Sequence, residues 1–218
     1  MKKLTFALMM LLGSFSMASA ELGVNIGVSG QIGAFTAEAE ETMGTTERRG
    51  KEDAIGVFGY GSIFLEKDLG QYFTLGIDYV AESLESETVV HTKKDHLAAA
   101  LPVNVTQTIK VSFEDLTTSY VALNVTENFY VKAGMVTVDV ITKETLGTGG
   151  TYGNTSLDGT LFGAGYTKDL TNGIFIRAEG TYTEFDAVKI NSASGETRFI
   201  KAGNIAGASG KLSIGKSF

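Results

Sequence analysis

Apolar residues recur at every second position over much of this chain. The pattern is cleanest where Leu22, Val24, Ile26 and Val28 share one face and Gly23, Asn25, Gly27, Ser29 and Gln31 share the other. A period of two puts alternate side chains on opposite faces of an extended backbone, so this stretch predicts a β-strand with one apolar side. Seven further segments read the same way, at about 54–66, 72–82, 116–125, 129–140, 159–167, 174–186 and 205–218. Pro102 is the only proline, and that scarcity suits long strands, because proline has no N–H to give to a sheet ladder.

The joints between these segments alternate in length. "KDLGQ", "TEN" and "KDLTNG" are short and rich in turn residues, whereas the stretches at roughly 37–53, 83–115, 141–158 and 187–204 are long. A soluble barrel or sandwich would also alternate apolar with polar, but nothing in it sorts loops by length. A barrel in a bacterial outer membrane does, with tight turns at the periplasmic rim and long loops outside the cell. Lipid offers the backbone no hydrogen-bond partner, so a sheet inside it must close and leave no edge. The expected fold is therefore all-β: an eight-stranded antiparallel, up-and-down transmembrane β-barrel over residues 21–218. The alternating stretch "VNVTQTIKVSF" is expected to extend strands three and four beyond the membrane; two more strands using residues near 87–92, ten in all, are the alternative.

The first twenty residues predict a cleaved signal peptide, residues 1–20. Lys2 and Lys3 precede an apolar run from Leu4 to Leu12, and small residues end in Ala18-Ser19-Ala20. The run is too short to anchor the chain, since a spanning helix needs about 20 apolar residues. Losing the two lysines takes the net charge from −7 to −9. So acidic a protein lacks the basic stripe of a nucleic-acid binder. The absence of cysteine leaves stability to packing and hydrogen bonds.

Phase assigns the faces. Phe73, Leu75, Ile77 and Tyr79 oppose Thr74, Gly76 and Asp78; Val121, Leu123 and Val125 oppose Ala122 and Asn124; Val131, Ala133 and Met135 oppose Lys132 and Gly134. In "IFIRAEGTYTEF", Arg177, Glu179, Thr181 and Thr183 share a face opposite Ile174, Ile176, Ala178, Gly180 and Tyr182. Charges against lipid are costly, so Asp78, Lys132, Arg177 and Glu179 are expected to face the interior and to pair across it. Phase is ambiguous in the second segment, where Phe58, Tyr60 and Phe64 oppose Ile55, Val57, Ile63 and Leu65, and in the far half of the fifth, with Val136, Val138 and Val140. The glycines of "GVFGYGS" are expected to make room for interior side chains.

The signal, the eight segments, "RAEGTYTEFD" and the terminal "GKLSIGKSF" together resemble the small outer-membrane β-barrel family that includes OmpA-type transmembrane domains, OmpX and the opacity-like proteins. The resemblance covers the whole mature chain and rests on pattern. It implies that the barrel-insertion machinery reads Gly210, Leu212, Ile214 and the terminal Phe218, although Lys216 stands where the family places an apolar or aromatic residue. It also implies a barrel alone, with no peptidoglycan-binding domain.

Other chemistry is sparse. The two histidines, His91 and His96, sit in "HTKKDH", where Lys93 and Lys94 would repel a cation, so no metal, cofactor or catalytic residue is expected. "LGTGGTYGN" lacks the strand-to-helix context of a phosphate loop. In the acidic first loop, Arg48, Arg49 and Lys51 are candidate contacts for lipopolysaccharide phosphates. The expected role is structural or adhesive, non-enzymatic, with a plugged, charge-paired interior and extracellular protein partners reached through the long loops. A narrow porin-like channel is the alternative, and an outer-membrane hydrolase or acyltransferase a weaker one.

Overall fold

The computed structural model describes residues 23–43, 47–86, 88–95, 103–145, 151–193 and 198–218. The expected signal peptide lies outside them. Eleven strands follow in order: β1 (Val24–Met43), β2 (Glu47–Leu69), β3 (Phe73–Tyr79), β4 (Leu84–Glu85), β5 (Val89–Asp95), β6 (Val103–Asn124), β7 (Phe129–Thr145), β8 (Thr155–Asp169), β9 (Ile174–Phe185), β10 (Val188–Asn191) and β11 (Arg198–Ser217).

Eight of them make a closed antiparallel ring, β1-β2-β3-β6-β7-β8-β9-β11, with β11 pairing back on β1. At the seam Phe218 N–H donates to Val24 O at 2.9 Å and Val24 N–H to Phe218 O at 3.4 Å. The other three are continuations. β4 and β5 run on along β6 after β3 stops, and β10 runs on along β11 after β9 stops. The ring is therefore eight-stranded, and "VNVTQTIKVSF" lengthens β6 while residues 84–95 pair beside it as a hairpin outside the ring.

The short joints are tight turns, as their sequences require. Gly70 (φ 71°) turns the first, Thr126 Oγ1 accepts from Phe129 N–H at 2.9 Å in the second, and a single 3-10 turn with Asn172 at φ 62° makes the third. The long joints differ from expectation: most of their length is strand. β1 and β2 stay paired from Val24–Lys67 up to Met43–Glu47, leaving residues 44–46 outside the description. Register shifts by one residue at Thr36/Glu38, Glu40/Thr42 and Glu114/Thr117, bulges that let the wall twist as it leaves the membrane.

Polarity is inverted relative to a soluble protein. Ile55, Val57, Met135, Phe162 and Leu212 face outward with 60–77% of their surface exposed, while Glu66, Lys132 and Glu179 point inward with 7% or less. Apolar area on this scale is not left in water. Tyr72, Phe73, Phe129, Tyr166 and Phe218 are exposed beside the turns and the seam, forming an aromatic girdle at that rim.

Rings and glycines fit together inside. A Cβ on Gly27, Gly76, Gly165 or Gly215 would fall within 2.4 Å of Phe64, Tyr120, Tyr130 or Phe175, so each ring lies flat over a neighbouring strand only because that residue lacks a side chain. The expectation for "GVFGYGS" is met at Gly56 alone, since Gly59 and Gly61 face outward. They do so where β3 has ended and the wall on that side of β2 is open. There Glu82 accepts from Gly61 N–H at 2.8 Å in place of a strand, and Phe58 closes edge-on against Phe113 of β6, 5.9 Å between centroids.

Candidate functional site

β2, β3, β7, β9 and β11 each send alternate side chains into the lumen, and six charges meet there. Glu66, Asp78 and Glu179 supply three carboxylates; Lys132, Arg177 and Lys211 supply three cations. Arg177 donates from Nη1 and Nη2 to Glu66 Oε1 and Oε2 at 2.6 and 3.1 Å, and from Nε to Thr167 Oγ1 at 3.2 Å. Lys132 Nζ reaches Glu179 Oε1 at 2.5 Å, and Lys211 Nζ bridges Asp78 Oδ2 at 2.7 Å to Glu179 Oε1 at 3.4 Å.

Aromatic residues complete the belt. Tyr120 Oη donates to Glu66 Oε1 at 2.6 Å, and Tyr130 Oη donates to Glu179 Oε2. The Arg177 guanidinium lies 5.1–5.5 Å from the rings of Phe64, Tyr130 and Phe175, and Lys132 Nζ lies 4.5 Å from that of Tyr120. These contacts matter because an isolated ion moved out of water is prohibitively costly, and each charge here has an ion-pair partner of opposite sign.

Below the belt, Asp68 accepts from Asn25 Nδ2 at 3.0 Å and from Thr74 Oγ1 at 2.7 Å. Above it the interior turns apolar: Val138, Val140 and Leu157 are buried against Phe113, Leu116 and Phe185. Even-numbered β7 residues thus point inward from Tyr130 to Val140, and the valines that blurred its phase are inside. Between the two layers is a cavity of about 40 Å³, bordered by Tyr60, Asp78, Lys132, Glu179, Thr181 and Lys211. That is room for a few water molecules.

The four interior residues singled out from sequence, Asp78, Lys132, Arg177 and Glu179, all sit in this belt, but Arg177 and Glu179 pair with other strands and not with each other. Glu66 and Lys211 escaped notice, as did Tyr120 and Tyr130. Lys211 alternates with Leu212 and Ile214, whose outward phase was readable and implied it. Glu66 lies in the strand whose two faces are both apolar, so nothing local marked it.

Gly210, Leu212 and Ile214 lie on the outward face of β11, and Phe218 is exposed at the seam. Arg48 and Lys51 fall on β2 at the end remote from the short turns, paired in register with Thr42 and Glu40; Arg49 lies between them. Their side chains lie outside the described residues, as do those of His91, on β5, and His96.

A closed eight-stranded ring with an apolar exterior and an ionised interior defines a transmembrane β-barrel. No protein-family model and no curated protein matches the sequence. Solved structures do. The outer membrane protein OprG of Pseudomonas aeruginosa superposes with a TM-score of 0.56 at 12% identity, over 91% of this chain and 97% of that one. The outer membrane protease OmpT of Escherichia coli gives 0.45 at 8% (93% and 99% covered), and the Neisserial surface protein NspA 0.37 at 12% (87% and 97%). At these identities the likeness is one of fold. The chain has the fold of the small outer-membrane β-barrels.

Proposed function

We propose that this barrel does structural or adhesive work through its outer hairpins, with its lumen shut and no reaction catalysed. One observation carries the reading. The interior holds three acids and three bases, ion-paired in two groups, Glu66 with Arg177 and Asp78 with Lys211, Glu179 and Lys132, with an apolar layer above them. A small barrel filled in this way has no space left for a solute path, so function falls to the surface. That surface extends well past the membrane, since the β5–β6 hairpin reaches from Val89–Ile109 to Asp95–Val103.

The insertion machinery is the proposed reader of Gly210, Leu212, Ile214 and Phe218. Outward apolar positions ending in an aromatic suit strand-to-strand recognition at a sheet edge.

A narrow channel is the second reading. What favours it is the cavity, where Lys132 and Lys211 border a space with room for water. An ion crossing there would have to part charged pairs.

Replacing residues 89–109 by a short turn tests the leading reading. The variant is expected to remain folded, shown by its altered gel migration before boiling, while attachment of bacteria displaying it to host cells or matrix falls severalfold. Attachment equal to that of the intact protein would contradict the reading.

A further inference from the structure

Outside the membrane, the register of the wall gathers positive charge in an otherwise acidic protein. Lys189 on β10 is paired with Lys201 on β11, Lys201 with Glu40 on β1, and Glu40 with Lys51 on β2. In the adjoining row stand Asn191, Phe199, Thr42 and Arg48. Paired residues share a face, so the exposed Lys189 and Lys201 stand side by side on the outer surface.

Like charges directly opposite on a sheet repel each other. Neither lysine has a carboxylate partner among the described residues, yet both ammonium groups are held over one ring. Lys189 Nζ is 4.0 Å and Lys201 Nζ 5.6 Å from the centroid of Phe199. β10 and β11 themselves carry no acid; those of this wall lie on β1 (Glu38, Glu40, Glu41) and β2 (Glu47, Glu52, Asp53), which leaves the β10–β11 side positive. Two cations from register-paired residues, both held at one aromatic ring, form a clamp for a doubly charged oxyanion.

We propose that Lys189, Lys201 and Phe199 bind a phosphate group of lipopolysaccharide in the surrounding leaflet. The depth selects a lipid as the source of that phosphate. Directly below on the same strand, Ile214, Leu212, Ala208 and Ala206 face outward along the lipid-facing band, so a lipid whose chains lie on them carries its headgroup up toward Lys201. The site is separate from the lumen, and it holds whether or not the barrel conducts.

The test uses the full barrel folded in detergent and titrated with purified lipopolysaccharide, with its dephosphorylated form, and with inorganic phosphate. Near a charged surface each lysine contributes on the order of 1 kcal/mol, so Lys189→Gln with Lys201→Gln is expected to weaken lipopolysaccharide binding about thirtyfold. Lys189→Arg with Lys201→Arg should retain it. The dephosphorylated lipid should bind the intact protein as weakly as the phosphorylated lipid binds the glutamine variant. Gel migration before boiling establishes that each variant is folded. Unchanged binding by the folded glutamine variant, or equal binding of the dephosphorylated lipid, would overturn the proposal. Competition by millimolar inorganic phosphate would overturn the lipid as the source.

Discussion

Glu66 and Arg177 are 111 positions apart in sequence and joined by two hydrogen bonds in the lumen, with Tyr120 donating a third to the same carboxylate. The pair ties β2 to β9 across the barrel. Removing one member leaves the other buried and uncompensated, which costs about 3–5 kcal/mol. Glu66→Ala and Arg177→Ala are each expected to lower unfolding stability by that amount in urea, followed by circular dichroism because the chain has no tryptophan. The double variant should lose much less than the sum. Additive losses would mean that the pair is not coupled.

Gly165 lies under the ring of Tyr130, whose Oη would stand 2.3 Å from an added Cβ. Gly165→Ala should therefore push Tyr130 off Glu179 and destabilise the barrel by about 1–3 kcal/mol, the usual cost of overpacking. Gly210→Ala, at an outward position with open space, should change stability very little. Equal effects of the two substitutions would refute the ring-on-glycine account.

Outside the membrane, Glu85 takes hydrogen bonds from Lys110 and from Lys143, the latter at 3.1 Å, linking β4 to β6 and β7. The bond from Lys110, then that from Lys143, holds its carboxyl below the ordinary value of 4.5. A depressed acid stabilises the fold fully above its unfolded value and loses that contribution as pH falls through the folded one. Amide exchange in residues 84–95 is expected to quicken, after correction for intrinsic rates, as pH drops from 5 toward 3. Glu85→Gln should remove that pH dependence.

How much of this was legible follows from where charge sits. β9 could be phased from Arg177 and Glu179, because a charged face in an alternating strand has one place to go. β2 could not, because its interior carries Phe58, Tyr60 and Phe64 while its exterior carries Ile55, Val57 and Ile63. Hydrophobicity separates lipid from a wet lumen, and here part of the lumen is dry. The valines of β7 misled for the same reason. Apart from "VNVTQTIKVSF", whose alternation marked it as a strand extension, the hairpins were read as loops because, beyond the lipid, both faces of a strand meet water and alternation fades, while the ladder continues.

Phe218 is half exposed at the seam and pairs with Val24 through its backbone alone. Phe218→Ala should hence leave refolding into detergent unchanged while reducing the assembled fraction in cells severalfold, measured by the same gel shift. An equal loss in detergent would assign the ring a role in stability instead.

The shut lumen is tested most directly by single-channel conductance of the purified barrel in a planar bilayer. The belt of Glu66, Asp78, Glu179, Lys132, Arg177 and Lys211 predicts silence from the intact protein. Steady openings that change amplitude when Glu179 or Arg177 is neutralised would contradict it and make the charged cavity part of a pore.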